Sequence, residues 1–144
     1  MEESSHIQEL INTISFQDNE VDRVAMDRVV EAARALGNPR QAVPLMLRWI
    51  EKNGHLDLGS PGPFVHFIEE KMDYLPELEA SLSSKPTCMT VWMANRIANA
   101  ETDPVKINHW IGIFERVLSH PESDEQCRDD AHSFISHQSD RLEV

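Results

Sequence analysis

An all-α fold of about eight short helices follows from three features of this sequence. Apolar residues recur at spacings of three and four through most of its length, the signature of a helix with one buried face. Glycine, proline and side-chain capping residues punctuate those stretches where helices would start and stop. No run alternates β-branched and polar residues, and no Asn-Gly or Asp-Gly pair marks a hairpin, so no strand is expected. The predicted architecture is one domain over residues 1–144, its helices stacked as antiparallel hairpins or gathered in an irregular bundle.

The first helix takes Ile7, Leu10, Ile11 and Ile14, and Ser15 to Asn19 read as a loop. Asp18 or Asn19 is the expected cap of a second helix through Leu36, with Val21, Val24, Ala25, Val29, Ala32 and Ala33 inward. Gly37 stands where a left-handed C-terminal residue belongs, and Asn38-Pro39 closes the turn. A third helix over about Pro39 to Asn53 buries Ala42, Met46, Trp49 and Ile50, with Pro44 in its early turns. The densest corner is Gly59-Ser60-Pro61-Gly62-Pro63. It breaks any preceding element and opens a fourth helix over about Pro61 to Met72, capped by Ser60 and filled by Phe64, Val65, Phe67 and Ile68.

Leu75, Leu78 and Leu82 carry a fifth helix with Pro76 at its start, and Lys85-Pro86-Thr87 forms the next corner. Met89, Trp92, Met93, Arg96 and Ile97 belong to a sixth helix ending near Asn99. Asp103-Pro104, a cap followed by proline, starts a seventh through Ile107, Trp110, Ile111, Phe114, Val117 and Leu118. Ser123 and Gln126 predict a capping box for an eighth helix with Cys127, Ala131, Phe134 and Ile135 inward, fraying into a polar tail.

At 144 residues and 40 % hydrophobic content, the chain can bury a core without staples. Its net charge is −12. Carboxylates repel phosphates, so direct nucleic-acid binding and docking on anionic lipid are not expected. A basic protein partner suits this charge. Cys88 and Cys127 lack any metal-ligand or disulfide spacing, and no leader or membrane-length apolar run is seen, which points to the cytoplasm. Charge is unevenly spread. Residues 1–36 hold 8 acids and 3 bases, residues 54–84 hold 6 and 1, and residues 119–144 hold 7 and 2, while residues 37–53 and 85–118 are close to neutral.

Chemical motifs are weak. Glu2-Glu3, Glu69-Glu70 and Asp129-Asp130 are adjacent pairs, which diverge by about a hundred degrees on a helix and suit solvated surface better than acid–base catalysis. His66 shares a helix face with Glu69 and Glu70, but no further ligand follows; a partly buried histidine bonding a carbonyl or Glu69 fits better than a metal ligand. His132 and His137 are poorly spaced for one face. Cys88, at a helix start, would gain thiolate character from the dipole, yet no base stands near it in sequence and a buried filler is the simpler reading. Ser60 is followed by proline, which removes an amide that a nucleophile elbow uses. Trp49, Trp92 and Trp110 fall in apolar stripes and read as core. Asn95 and Arg96 are placed to tie loop carbonyls or to bind a ligand. The chain is therefore expected to act without catalysis, cofactor, metal or small-molecule substrate.

Gly59-Ser60-Pro61-Gly62-Pro63-Phe64-Val65-His66-Phe67-Ile68-Glu69, then Tyr74, Leu78, Ser81-Leu82, Lys85-Pro86-Thr87 and Val91-Trp92-Met93-Ala94-Asn95-Arg96-Ile97-Ala98-Asn99, resemble a family of small bacterial all-helical proteins. The resemblance covers about 40 residues of the middle of the chain. Members are similar to HEAT-like folds, which implies a right-handed superhelix as the form of the stack. Many look like immunity proteins of polymorphic or contact-dependent growth inhibition toxin systems. That implies a cytoplasmic inhibitor of one cognate toxin domain, often a nuclease with a basic cleft. Within that resemblance Gly59, Ser60, Pro61, Gly62, Pro63, His66, Trp92, Asn95 and Arg96 are structural. The expected contacts with the partner are the acids Glu69, Glu70, Asp73, Glu77 and Glu79, and second Asp124, Glu125, Asp129 and Asp130, each able to bond lysine or arginine. Two rivals are a general helical adaptor and an enzyme assembled around His66, Glu69 and Cys88.

Overall fold

The computed structural model describes residues 2–18, 20–53, 62–71 and 73–143, and all-α architecture dominates it. Among the described residues, eight α-helices run α1 (Glu2–Asn12), α2 (Arg23–Arg34), α3 (Ala42–Asn53), α4 (Pro63–Glu69), α5 (Leu75–Ser84), α6 (Cys88–Ala100), α7 (Pro104–Ser119) and α8 (Glu125–Leu142). Gly59, Ser60 and Pro61, and with them the expected serine cap, lie outside the described residues. The chain forms two compact units, Met1–Glu77 and Leu78–Val144, with the boundary inside α5.

In the first unit, α1 packs on α2 and α3, and α2 on α4. Ile7, Met26, Val29, Met46, Ile50, Phe64, Phe67 and Ile68 are all but fully buried. Two strands stand where a loop and the start of the second helix were expected: β1 (Phe16–Gln17) and β2 (Glu20–Val21) pair antiparallel, Phe16 opposite Val21. The turn residue Asp18 has φ 52°, a left-handed conformation that aspartate tolerates better than most side chains. A hairpin search tuned to glycine misses such a turn. Because β2 takes residues 20 and 21, the cap of α2 moves from Asp18 or Asn19 to Asp22, whose Oδ1 accepts from the Ala25 amide at 3.1 Å.

α2 stops at Arg34 rather than Leu36, and Gly37 does not take positive φ. The amides of Ala35 and Leu36 bond three residues back to Ala32 and Ala33, and this tightened last turn satisfies the carbonyls that a left-handed residue would otherwise serve. A 3-10 turn over Pro39–Gln41 leads into α3. Glycine is needed instead at Gly62, whose φ is 91° immediately before Pro63 at the first position of α4. α4 therefore starts at Pro63, two residues later than the periodicity predicts, and ends at Glu69.

In the second unit, α7 lies along α8, and α6 contacts both. Met93, Phe114, Leu78 and Cys127 are completely buried. α6 opens on a reciprocal capping box between Thr87 and Thr90, and α7 on Asp103, whose Oδ1 accepts from the Val105 amide at 2.9 Å. α8 is capped by Asp124, not Ser123: the Asp124 Oδ1 accepts from the Cys127 amide at 2.8 Å. The Ser123 hydroxyl instead donates to the Val117 carbonyl at 2.6 Å, tying the α7–α8 corner. Nor does α8 fray after Ile135. It continues to Leu142 because Gln138, fully buried, and Arg141 are fastened to α6.

Candidate functional site

The acids of residues 69–79 are largely occupied within their own units. Glu69 is half-buried at the end of α4. Glu70 pairs with Arg34 of α2 at 2.6 Å. Arg40, from the 3-10 turn, holds Glu77 at 2.8 Å and donates a second bond to the Asp73 carbonyl. In the second unit Glu79 faces His109 Nε2 at 2.9 Å. Exposed ion pairs such as Arg34–Glu70 and Arg40–Glu77 add little stability, about 0–1 kcal/mol each, but they reduce the negative charge that the block presents outward; His109 does so only when protonated. The Asp73 carboxylate, exposed just past α4, has no cationic partner among the described residues.

The C-terminal acids divide differently. Asp124 is used as a cap, and Asp130 accepts from Gln126 Nε2 at 2.9 Å. Glu125 and Asp129 are exposed. They begin a stripe that sequence reasoning did not extend: Glu125, Asp129, His132, Ser136, Asp140 and Glu143 follow at helical spacings of four and three, all exposed on one face of α8. Its four acids have no cationic partner among the described residues.

The cations that should balance them are turned inward. Arg128 donates to the Ser123 carbonyl. Arg141 donates to the Ala98 and Glu101 carbonyls, each at 2.7 Å, and to Gln138 Oε1 at 2.6 Å. Asp140 and Glu143 also stand at the negative end of the helix dipole, where a carboxylate is unfavourable by about 0.3–1 kcal/mol. The sequence carried a usable signal for the inward set: Gln138 falls seven residues after Ala131, on the buried stripe.

No family model, curated protein or solved structure matches the chain.

The residues marked structural in the central stretch separate. His66 is exposed, not partly buried, since its place on α4 lies opposite Phe64 and Ile68. Trp49 and Trp110 are buried as core, but Trp92 is half-buried with the Arg96 guanidinium 4.9 Å above its ring. Asn95 ties no loop; its Oδ1 accepts from Gln138 Nε2 at 2.9 Å. Among the described residues no three His, Cys, Asp or Glu side chains come together as a metal site, and no helix is long and apolar enough to cross a membrane.

Both cysteines are free thiols. Burial, then Asp124 and Asp130, pushes the Cys88 thiol from the ordinary 9.0 up to about 11. Burial, then Cys88 and Asp124, pushes the fully buried Cys127 to about 12. With burial the larger cause and the nearby acids adding to it, both thiols stay protonated at neutral pH, and neither gains the thiolate character expected of a helix start. Iodoacetamide at pH 7.5 is expected to leave both unmodified in the folded chain and to label both in guanidinium, read by mass spectrometry. Rapid labelling of folded Cys88 would contradict this environment. The unfolded thiols ionise near 9.0 while the folded ones stay protonated, so their contribution falls as pH rises above about 9 towards 11 and 12.

Proposed function

We propose that this chain is a stoichiometric binding protein that masks a basic domain of another protein, in the manner of the toxin-neutralising immunity proteins its central stretch resembles, and that it does so without catalysis. The observation that carries the reading is the exposed face of α8, where Glu125, Asp129, Asp140 and Glu143 lack cationic partners among the described residues while Arg128 and Arg141 bond inward to carbonyls. Carboxylates held without internal partners, two of them against the helix dipole, are available to a cationic surface. A basic cleft would gain fast, steered association and charge-assisted bonds from such a face. The partner is protein rather than nucleic acid or anionic lipid, because phosphates are repelled by it. Two free thiols suit a reducing cytoplasm as the place of action.

The test is co-expression with the product of the neighbouring upstream gene. A one-to-one complex is expected, with an association rate that falls steeply as salt rises. Combining Asp129→Lys, Asp140→Lys and Glu143→Lys should slow association by about tenfold or more and flatten its salt dependence. The same changes should hold or raise folding stability, since two of them place cations at a helix C-terminus. Unchanged kinetics, or a complex whose buried patch is apolar, would overturn the reading. Binding without protection of cells expressing the partner would favour a general adaptor instead.

A further inference from the structure

We infer that the first unit carries a binding site for a small planar organic anion, a ring bearing a carboxylate or phosphate, in the cleft between α1, β1 and α3. The cleft holds about 320 Å3, at the lower end of the range for small-molecule sites. Its walls reverse the character of the chain. Acids outnumber basic residues 25 to 13 overall, yet among the described residues no Asp or Glu lines this cleft, while Arg48 and Lys52 both do. They stand four residues apart on α3 and so project from one helix face. Neither has a carboxylate partner among the described residues.

The rest of the lining supplies a body site beside that charge. Half-buried Phe16 stacks on Trp49 with centroids 5.9 Å apart and planes 9° apart. Trp49 itself is 7 % exposed and forms the floor of the stack. On α1, Asn12 accepts from Gln8 Nε2 at 2.9 Å through its Oδ1, leaving its own amide hydrogens to donate. A flat apolar ring gains most from contact with the Phe16 face. The Arg48 fork takes two oxygens of a carboxylate or phosphate, and Lys52 adds a point charge.

This site does not rest on the acidic stripe, which belongs to the other unit, so loss of anion binding and loss of partner binding are read separately. The test is titration of the full-length, 15N-labelled chain with adenosine 5′-monophosphate, with benzoate and with neutral adenosine, following the three tryptophan indole resonances. Either anion, or both, should shift Trp49 saturably while Trp92 and Trp110 stay still; which one binds tighter tells phosphate from carboxylate. Adenosine should bind at least about tenfold more weakly than its monophosphate, one unit of lost charge recognition. The double variant Arg48→Ala, Lys52→Ala should abolish the shift with an unchanged melting temperature, since both side chains are exposed. No saturable Trp49 shift with either anion, equal binding of adenosine, or undiminished binding by a folded double variant would overturn the site.

Discussion

Phe64→Ala is expected to destabilise the first unit by about 3–5 kcal/mol, the range for removing a large aromatic from a closed core. Phe64 is 1 % exposed and meets Trp49 edge-on, centroids 5.1 Å apart at 76°. Trp49 in turn stacks on Phe16, so three rings link α4, α3 and the hairpin. Alanine would leave a ring-sized void and remove the edge contact, worth about 0.5–1.5 kcal/mol beyond its area. Phe64→Leu, which refills much of the volume, should lose less than half as much. Urea denaturation followed by tryptophan emission checks both. A loss below about 1 kcal/mol for the alanine variant would show that the ring chain does not hold this unit together.

The second large effect concerns Gln138 and Arg141. Gln138 is fully buried, and its Nε2 donates to Asn95 Oδ1 at 2.9 Å and Asn99 Oδ1 at 2.7 Å. Its Oε1 accepts from Arg141, whose fork also bridges the carbonyls that end α6. Gln138→Ala strips three bonds at once and opens a void, with an expected cost of about 3 kcal/mol. Arg141→Ala should cost about 2–3 kcal/mol, since hydrogen bonds from a charged donor to partly buried acceptors are among the stronger ones. Arg141→Lys should recover only part of that, because an ammonium lacks the planar fork that spans two carbonyls. The two alanine changes together should cost less than their sum, as members of one network do. Additive losses would mean that the residues act independently.

Much of the helical layout was legible because its information is local. Asp103-Pro104 starts α7 as read, since a cap and a proline at the first turn act within four residues. The stripe Phe64, Val65, Phe67, Ile68 is buried as its period requires. The boundaries that fall elsewhere have equally local causes. Aspartate rather than glycine took the left-handed turn at position 18, and Asp124 won the cap of α8 while Ser123 was drawn to a carbonyl of α7.

The charges behaved otherwise. Blocks of acids counted along the chain do not reveal that Glu70 is paired with Arg34, 36 residues away, or Glu77 with Arg40, 37 away. The acidic face of α8 is distinguished less by its carboxylates than by the inward turn of Arg128 and Arg141, and Arg141 finds its acceptors about 40 residues earlier on and beyond α6. Helix identity, apolar faces and net charge are set by neighbours within a turn or two, so sequence by itself determined them. Which carboxylates stay unpaired, which amide is buried, and which cations line a cleft depend on partners that only packing brings within bonding distance, and these the tertiary structure decided.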